Sequence, residues 1–312
     1  MNLVSKFSMN ELRANSFAFS CALIVFALPY SIQLTSLAIM ILVIAWLIQG
    51  NWRTLLIKIR TAKWFWGSTI LIYLLTIVSL AYTDEIKAGL FELEKGVALL
   101  LFPILFVSSH KLSKQAMHRI MWAFILSNLS LGLISVVYAV YKFFYEQVNI
   151  FFYHDLVQIF DSHATYYSMY LIFSLIALFY LYIKAEVPWA PRLLVGSITA
   201  FFTVLICLLG ARSTVIIFFL ASLVAIVIYI MKTKRIILGL TLMGCFFLLI
   251  FLVINNNAHL KERIVQLRDY KYQLSENHVE GYNGLTTRLA QWEASMSIVK
   301  EAPILGVGVG DV

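Results

Sequence analysis

The sequence predicts an all-α integral membrane protein with about nine transmembrane helices, a cytoplasmic N-terminus and a helical extracytoplasmic segment at its C-terminal end. Three observations predict it. Of 312 residues, 61% are hydrophobic and 13% charged, against roughly 45–50% and about 25% in soluble domains, and the mean hydropathy is +0.86. The apolar residues gather in runs long enough to cross a bilayer, which takes about 17–25 residues. Lys and Arg alternate from loop to loop as the cytoplasmic bias of basic residues requires. A soluble fold of this size has no interior large enough for so much apolar surface, so lipid is the solvent for most of the chain.

The first apolar run, Ala14 to Trp52, has 39 residues without a charge. That is too long for one crossing and fits two, with the turn at Pro29, Tyr30, Ser31, Ile32 and Gln33. It is also too long for the apolar region of a cleaved signal peptide. Further runs follow at 64–82, 97–108, 120–141, 166–183, 193–209, 213–231 and 236–254. The run at 97–108 reaches spanning length only if its helix begins near Leu90. With the N-terminus inside, the inner segments carry 14 Lys and Arg, whereas the short outer loops carry only Lys87, Lys95, Lys142 and Arg212. The formal net charge of +8 is therefore topological and does not point to nucleic acid. Residues 1–254 form the transmembrane bundle in this reading. Residues 255–312 form a large extracytoplasmic loop that is expected to be incomplete at Val312. Within it, about 259–274 fits an amphipathic surface helix. Asn283-Gly284 marks a turn, and a helix over about 287–300 has Thr286 as N-cap and Pro303 at its end.

Cys21, Cys207 and Cys245 lie inside apolar stretches at spacings that match neither a zinc site nor a disulfide framework, and read as small buried side chains. No spanning run carries an internal Asp, Glu, Lys or Arg. Such residues mark ion pathways and proton relays, and their absence argues against a secondary transporter.

Several residues are candidates for chemistry. Arg212 is the sole charge between Leu193 and Met231, at the tip of a hairpin on the outer face. It either contacts a lipid-linked diphosphate, which guanidinium pairs with bidentately, or snorkels to the interface. Arg288 shares a helix face with Trp292, four residues on, and with Ser295 and Val299. That pair either lines an outer cavity, with Trp292 stacking on a sugar or on the guanidinium, or is a solvated cation over an interfacial anchor. His163 stands in Asp161-Ser162-His163-Ala164-Thr165-Tyr166-Tyr167 at the outer start of a spanning helix. It either handles protons or binds hydroxyls with Asp161, or belongs to a helix start capped by Asp161 and ringed by Tyr166, Tyr167 and Tyr170 at the membrane interface. Glu92 and Glu94 flank Lys95 in an outer loop and read as a solvated face. Gly306, Gly308 and Gly310 follow a helix and not a strand, so they make no dinucleotide fingerprint; they form a tight turn, with backbone amides available to an anion.

Leu208-Leu209-Gly210-Ala211-Arg212-Ser213-Thr214 at the outer hairpin resembles a motif of the O-antigen ligase and polymerase family. So do Thr287-Arg288-Leu289-Ala290-Gln291-Trp292, running on to Pro303-Ile304-Leu305-Gly306-Val307-Gly308, and Ser162-His163-Ala164-Thr165-Tyr166-Tyr167. The resemblance implies a multi-pass protein of the bacterial inner membrane acting in lipopolysaccharide biosynthesis. It implies a metal-independent glycosyltransferase, with no cofactor, that moves a glycan from an undecaprenyl diphosphate donor to a lipid A-core type acceptor on the outer face. The partners implied are that lipid-linked donor, a glycolipid or glycan acceptor and membrane lipids, without nucleic acid. Arg212 and Arg288 match arginines that bind the diphosphate, and His163 and Trp292 complete the substrate-binding set. The family's catalytic His would fall beyond Val312, as would two or three closing helices. The catalytic residue is therefore unassigned, and His163, His259 and His278 do not take its place. The alternatives are an O-antigen or exopolysaccharide polymerase, and, from another class, a transporter or flippase of lipid-linked glycan.

Overall fold

A computed structural model of the protein describes residues 9–49, 63–109, 112–183, 192–234, 284–303 and 306–311, together with 237, 241 and 244. The described residues contain helices and no strand. The helices are α1 (Met9–Ala27), α2 (Ile32–Gln49), α3 (Lys63–Ser79), α4 (Ile86–Ser108), α5 (Lys114–Tyr141), α6 (Ala164–Ile183), α7 (Arg192–Leu209), α8 (Arg212–Thr233) and α9 (Gly284–Glu301). Among the described residues, three stretches are long and apolar enough to cross a membrane, Lys114–Glu146, Ala164–Ile183 and Ser213–Met231. Shorter apolar helices accompany them at Asn15–Ala27, Ile32–Ile48, Thr69–Tyr82 and Leu193–Leu209. Large aliphatic side chains such as Val137, Ile216 and Leu220 point outward and exposed, as a lipid-facing surface requires. The expected crossing at 236–254 and the amphipathic stretch at 259–274 lie largely or wholly outside the described residues.

The chain forms two compact units, each with its own packing. The first holds α1, α2, α5, α6, α7 and α8. Its α1–α2 turn falls where the sequence places it, closed by the Tyr30 amide donating to the Ala27 carbonyl at 3.0 Å. Helix α5 is the centre of this unit and begins six residues before the expected start. The Ser113 hydroxyl accepts from the Ala116 amide at 3.1 Å and starts the helix there, so the basic residues Lys114 and Arg119 lie on helical turns. Small residues make its inner face: Ser127, Asn128, Gly132, Ser135 and Ala139 are buried. That composition lets membrane helices approach closely. A methyl group on Gly132 would lie 2.5 Å from Leu205 Cδ1 and 2.8 Å from the Tyr167 hydroxyl. Polar side chains bridge the approach. The Ser127 hydroxyl donates to the Phe26 carbonyl at 2.5 Å. The Tyr167 hydroxyl donates to the Asn128 carbonyl at 2.8 Å, and Asn128 Nδ2 donates to the Ser174 hydroxyl at 3.1 Å. Each such bond contributes about 0.6–1 kcal/mol in a membrane.

The second unit holds α3, α4, α9 and the segment 306–311. Helices α3 and α4 form a hairpin through the single 3-10 turn Leu80–Tyr82. Buried Tyr73 reaches across it, and Gly96 leaves room for its ring. Helix α4 runs from Ile86 through Pro103 to Ser108, so the short run at 97–108 is the second half of a full-length helix. Glu92, Glu94 and Lys95, expected in a loop, sit on its first turns. Lys95 pairs with Glu92 at 2.6 Å and lies 4.2 Å from the centre of the Phe91 ring, which is the solvated face anticipated for them. Helix α9 begins at Gly284, so Thr286 is inside the first turn and is not the N-cap.

Candidate functional site

The first unit brings two helix starts together. Helix α7 ends at Leu209, and the chain reverses through Gly210, whose φ of +53° favours glycine. Buried Ala211 is the N-cap of α8, and Arg212 is its first residue. The Thr214 hydroxyl donates to the Ala211 carbonyl at 2.8 Å and accepts from the Ser168 hydroxyl at 2.9 Å. Ser168 lies one turn into α6, and both side chains are fully buried. The N-terminal ends of α6 and α8 are thereby fastened side by side. Each carries the positive end of a helix dipole, and Arg212 is the first residue of α8.

The segment before α6 closes over these ends. The Tyr153 amide donates to the Leu208 carbonyl at 3.2 Å, which ties the segment to the end of α7. Leu156 and Val157, on the 3-10 turn Asp155–Phe160, are buried in the core. Two histidines cap α6. The Ala164 amide donates to His154 Nδ1 at 3.2 Å, and the Thr165 amide donates to His163 Nδ1 at 3.3 Å. Their ring centres are 4.1 Å apart, with Tyr153 3.9 Å from His154 and Tyr166 5.4 Å from His163. A ring nitrogen that accepts an amide proton has its lone pair engaged, so each Nδ1 is committed to the backbone of α6.

The sequence expectations for this end are partly corrected. The caps come from His154 and His163 and not from Asp161, which ends the 3-10 turn in the left-handed region at φ +50°. Tyr166 is exposed and Tyr170 half-buried, but Tyr167 is fully buried against Asn128 and is no part of an interfacial ring. His154 carried no local signal. It lies nine residues before His163, and only the fold of the 3-10 turn joins them. Ser168 is a small hydroxyl in an apolar run and is equally silent, and nothing local in the sequence pairs it with Thr214.

The second unit carries Arg288 and Trp292 on α9. Both are exposed, Trp292 by 68%, and the spacing of four puts them on one helix face. The glycine segment departs from its expected role. A tight turn is present, with the Asp311 amide donating to the Gly308 carbonyl at 3.0 Å. Yet the Gly310 amide goes to the Thr83 hydroxyl at 2.9 Å and not to an external anion. The anion is the chain's own Asp311, whose carboxylate accepts from the Asp84 amide at 3.0 Å and the Glu85 amide at 2.9 Å. The Glu85 amide above all, then that of Asp84, holds the Asp311 carboxyl below the usual carboxylate value.

Among the described residues, no three His, Cys, Asp or Glu side chains gather to hold a metal ion. Cys21 and Cys207 are free thiols, Cys21 buried and Cys207 half-buried, and Cys245 lies outside the described residues.

Comparison with known proteins bears on these helix starts. No curated protein and no solved structure matches the chain. The family model described as O-antigen ligase matches residues 196–312, a stretch that takes in most of α7, all of α8 and α9, and the glycine segment. Arg212, Arg288, Trp292 and Asp311 all fall within it, and this segment of the chain is similar to the O-antigen ligase family.

Proposed function

We propose that the protein transfers a glycan from an undecaprenyl diphosphate carrier to an acceptor sugar at the outer face of the bacterial inner membrane, as a metal-independent ligase. The observation that carries this reading is the pairing of the α6 and α8 starts through Ser168 and Thr214, with Arg212 leading α8 inside the matched segment. Two adjacent helix dipoles, with an arginine at the first position of α8, favour a multiply charged anion. A cavity of about 520 Å³ runs between α6, α7 and α8, lined by apolar residues such as Ile172, Phe179, Phe218 and Ala225. It begins at Phe218, six residues and roughly 9 Å along α8 from Arg212, and offers an isoprenoid tail a path below its headgroup.

In the reaction, the acceptor hydroxyl oxygen attacks the anomeric carbon. The bond from that carbon to the diphosphate oxygen breaks, and its electron pair leaves on the diphosphate. Cations placed where that charge develops lower the barrier, and losing one such contact costs about 10²- to 10³-fold in rate. Arg212 and Arg288 take this role, while His163 and Trp292 contact the sugar. The acceptor proton passes to a general base. His154 and His163 are poorly suited to that step, because each Nδ1 is engaged by a backbone amide.

The test is carried out in a strain lacking the native gene, complemented with the wild-type or the Arg212→Ala chain. Carrier-linked glycan is extracted and sized. Long glycan accumulating on the carrier in both the deletion and the Arg212→Ala strain supports a ligase. Accumulation of single repeats points to a polymerase instead, and an unchanged distribution overturns glycan transfer altogether.

A further inference from the structure

The segment 306–311 is built to close on the head of α4. A side-chain carbon on Gly308 would lie 2.3 Å from Thr83 Cα, and one on Gly310 would lie 2.1 Å from the Glu85 carbonyl oxygen. Within the helix, Gly89 is buried and faces Val309 and the Gly310 amide, at 3.2 and 3.5 Å from the position of a methyl group. Gly308 and Gly310 are thus needed for one backbone to lie on another. Asp311 then supplies the negative charge that the N-terminus of α4 favours, through the amides of Asp84 and Glu85. The Thr83 hydroxyl completes the contact from the α4 side.

This contact also reaches α9. The Ala302 amide donates to the Ile298 carbonyl, and the Gly306 amide to the Ala302 carbonyl, both at 3.0 Å. Gly306 turns the chain at φ +69°. Hydrogen bonds and the short covalent stretch 306–311 therefore link the last turn of α9 to the head of α4. Arg288 is 13 residues before Glu301, roughly 20 Å along the helix, so a small tilt at the anchored end moves Arg288 by several ångströms.

We propose that Asp311 is a positioning residue, whose carboxylate clasps 306–311 to the N-terminal end of α4 and so holds the helix that carries Arg288. The role assigned to Arg288 rests on the ligase reading; the clasp and its grip on α9 do not. The contact lies on the surface, so its loss leaves the rest of the fold standing. Gly308→Ala breaks it by steric clash without changing charge.

The experiment uses the full chain in lipid nanodiscs and two readouts. The first is amide exchange at residues 84–85 and across the last turns of α9, residues 295–301. Asp311→Ala and Gly308→Ala are each expected to speed both by about tenfold, the scale of a charge-assisted hydrogen bond, with Thr83→Ser close to wild type. Faster exchange at 84–85 alone reduces the clasp to a local cap and overturns the proposal, as does no change at either place. The second readout is the affinity for undecaprenyl diphosphate of Arg288→Ala, Asp311→Ala and the double variant. Asp311→Ala is expected to weaken binding about tenfold, and the double variant to be no weaker than Arg288→Ala, because the two act in series. Additive losses overturn positioning through Arg288. If Arg288→Ala binds as wild type does, it is the ligase reading of Arg288 that fails, and the exchange measurement still decides the clasp.

Discussion

Ser168 donates a hydrogen bond to Thr214 at 2.9 Å, and both side chains are wholly buried between α6 and α8. Hydroxyls so placed have no water to turn to, so the bond acts as a rivet between the two helix starts. Thr214→Val keeps the shape and removes both the acceptor for Ser168 and the donor to Ala211. It is expected to lower stability by about 1 kcal/mol and to reduce glycan transfer at least as much as it loosens the fold. Unfolding midpoints in detergent check the first effect. A cycle with Ser168→Ala isolates the pair, with an expected coupling of about 0.6–1 kcal/mol.

Gly132 faces three neighbours, Leu205, Tyr167 and Phe201, on two other helices. Gly132→Ala brings a methyl group within 2.5 Å of Leu205 Cδ1 and 2.8 Å of the Tyr167 hydroxyl. Leu205 can yield at its side-chain end, so the cost falls in the lower part of the overpacking range, about 1–2 kcal/mol. Gly132→Leu cannot be accommodated and is expected to prevent assembly of the first unit, which yield and monodispersity on size exclusion would report.

The histidine caps predict a graded series. His163→Ala removes the acceptor for the Thr165 amide and is expected to cost about 1 kcal/mol, the usual value of an N-cap. His163→Asn restores a short acceptor and most of the stability, but not the imidazole ring. If stability returns in the asparagine variant while glycan transfer does not, His163 contacts substrate as well as capping α6. Recovery of both leaves it a cap.

Asp311 makes the second unit sensitive to acid. Its carboxyl is held below the ordinary value of 3.8 by the Glu85 and Asp84 amides, so the folded state favours the charged form. Its stabilising contribution is complete above the ordinary value and is lost as pH falls through the lower folded value. The difference in unfolding midpoint between wild type and Asp311→Asn is therefore expected to hold constant above about pH 5 and to close as pH falls below 4. A difference that widens on acidification would contradict the contact.

What the linear chain settles here is whatever depends on composition and period. Runs such as 213–231 declare a membrane helix because lipid accepts no unpaired amide and no long polar stretch. The α1–α2 turn is legible at Pro29 because a charge-free run of 39 residues exceeds one crossing. The start of α4 at Ile86 was ambiguous, since Glu92, Glu94 and Lys95 fit a loop as well as a helix end. Helix start and loop differ there by who accepts the Asp84 and Glu85 amides, and that acceptor, Asp311, lies more than two hundred residues away. The same distance hides the rest. His154 joins His163, and Ser168 joins Thr214, only after the chain has turned back on itself. Hydrophobic period is a property of neighbours along the chain and survives in one dimension. A cap, a rivet or a clasp is a property of neighbours in space, and only the tertiary fold supplies the partner.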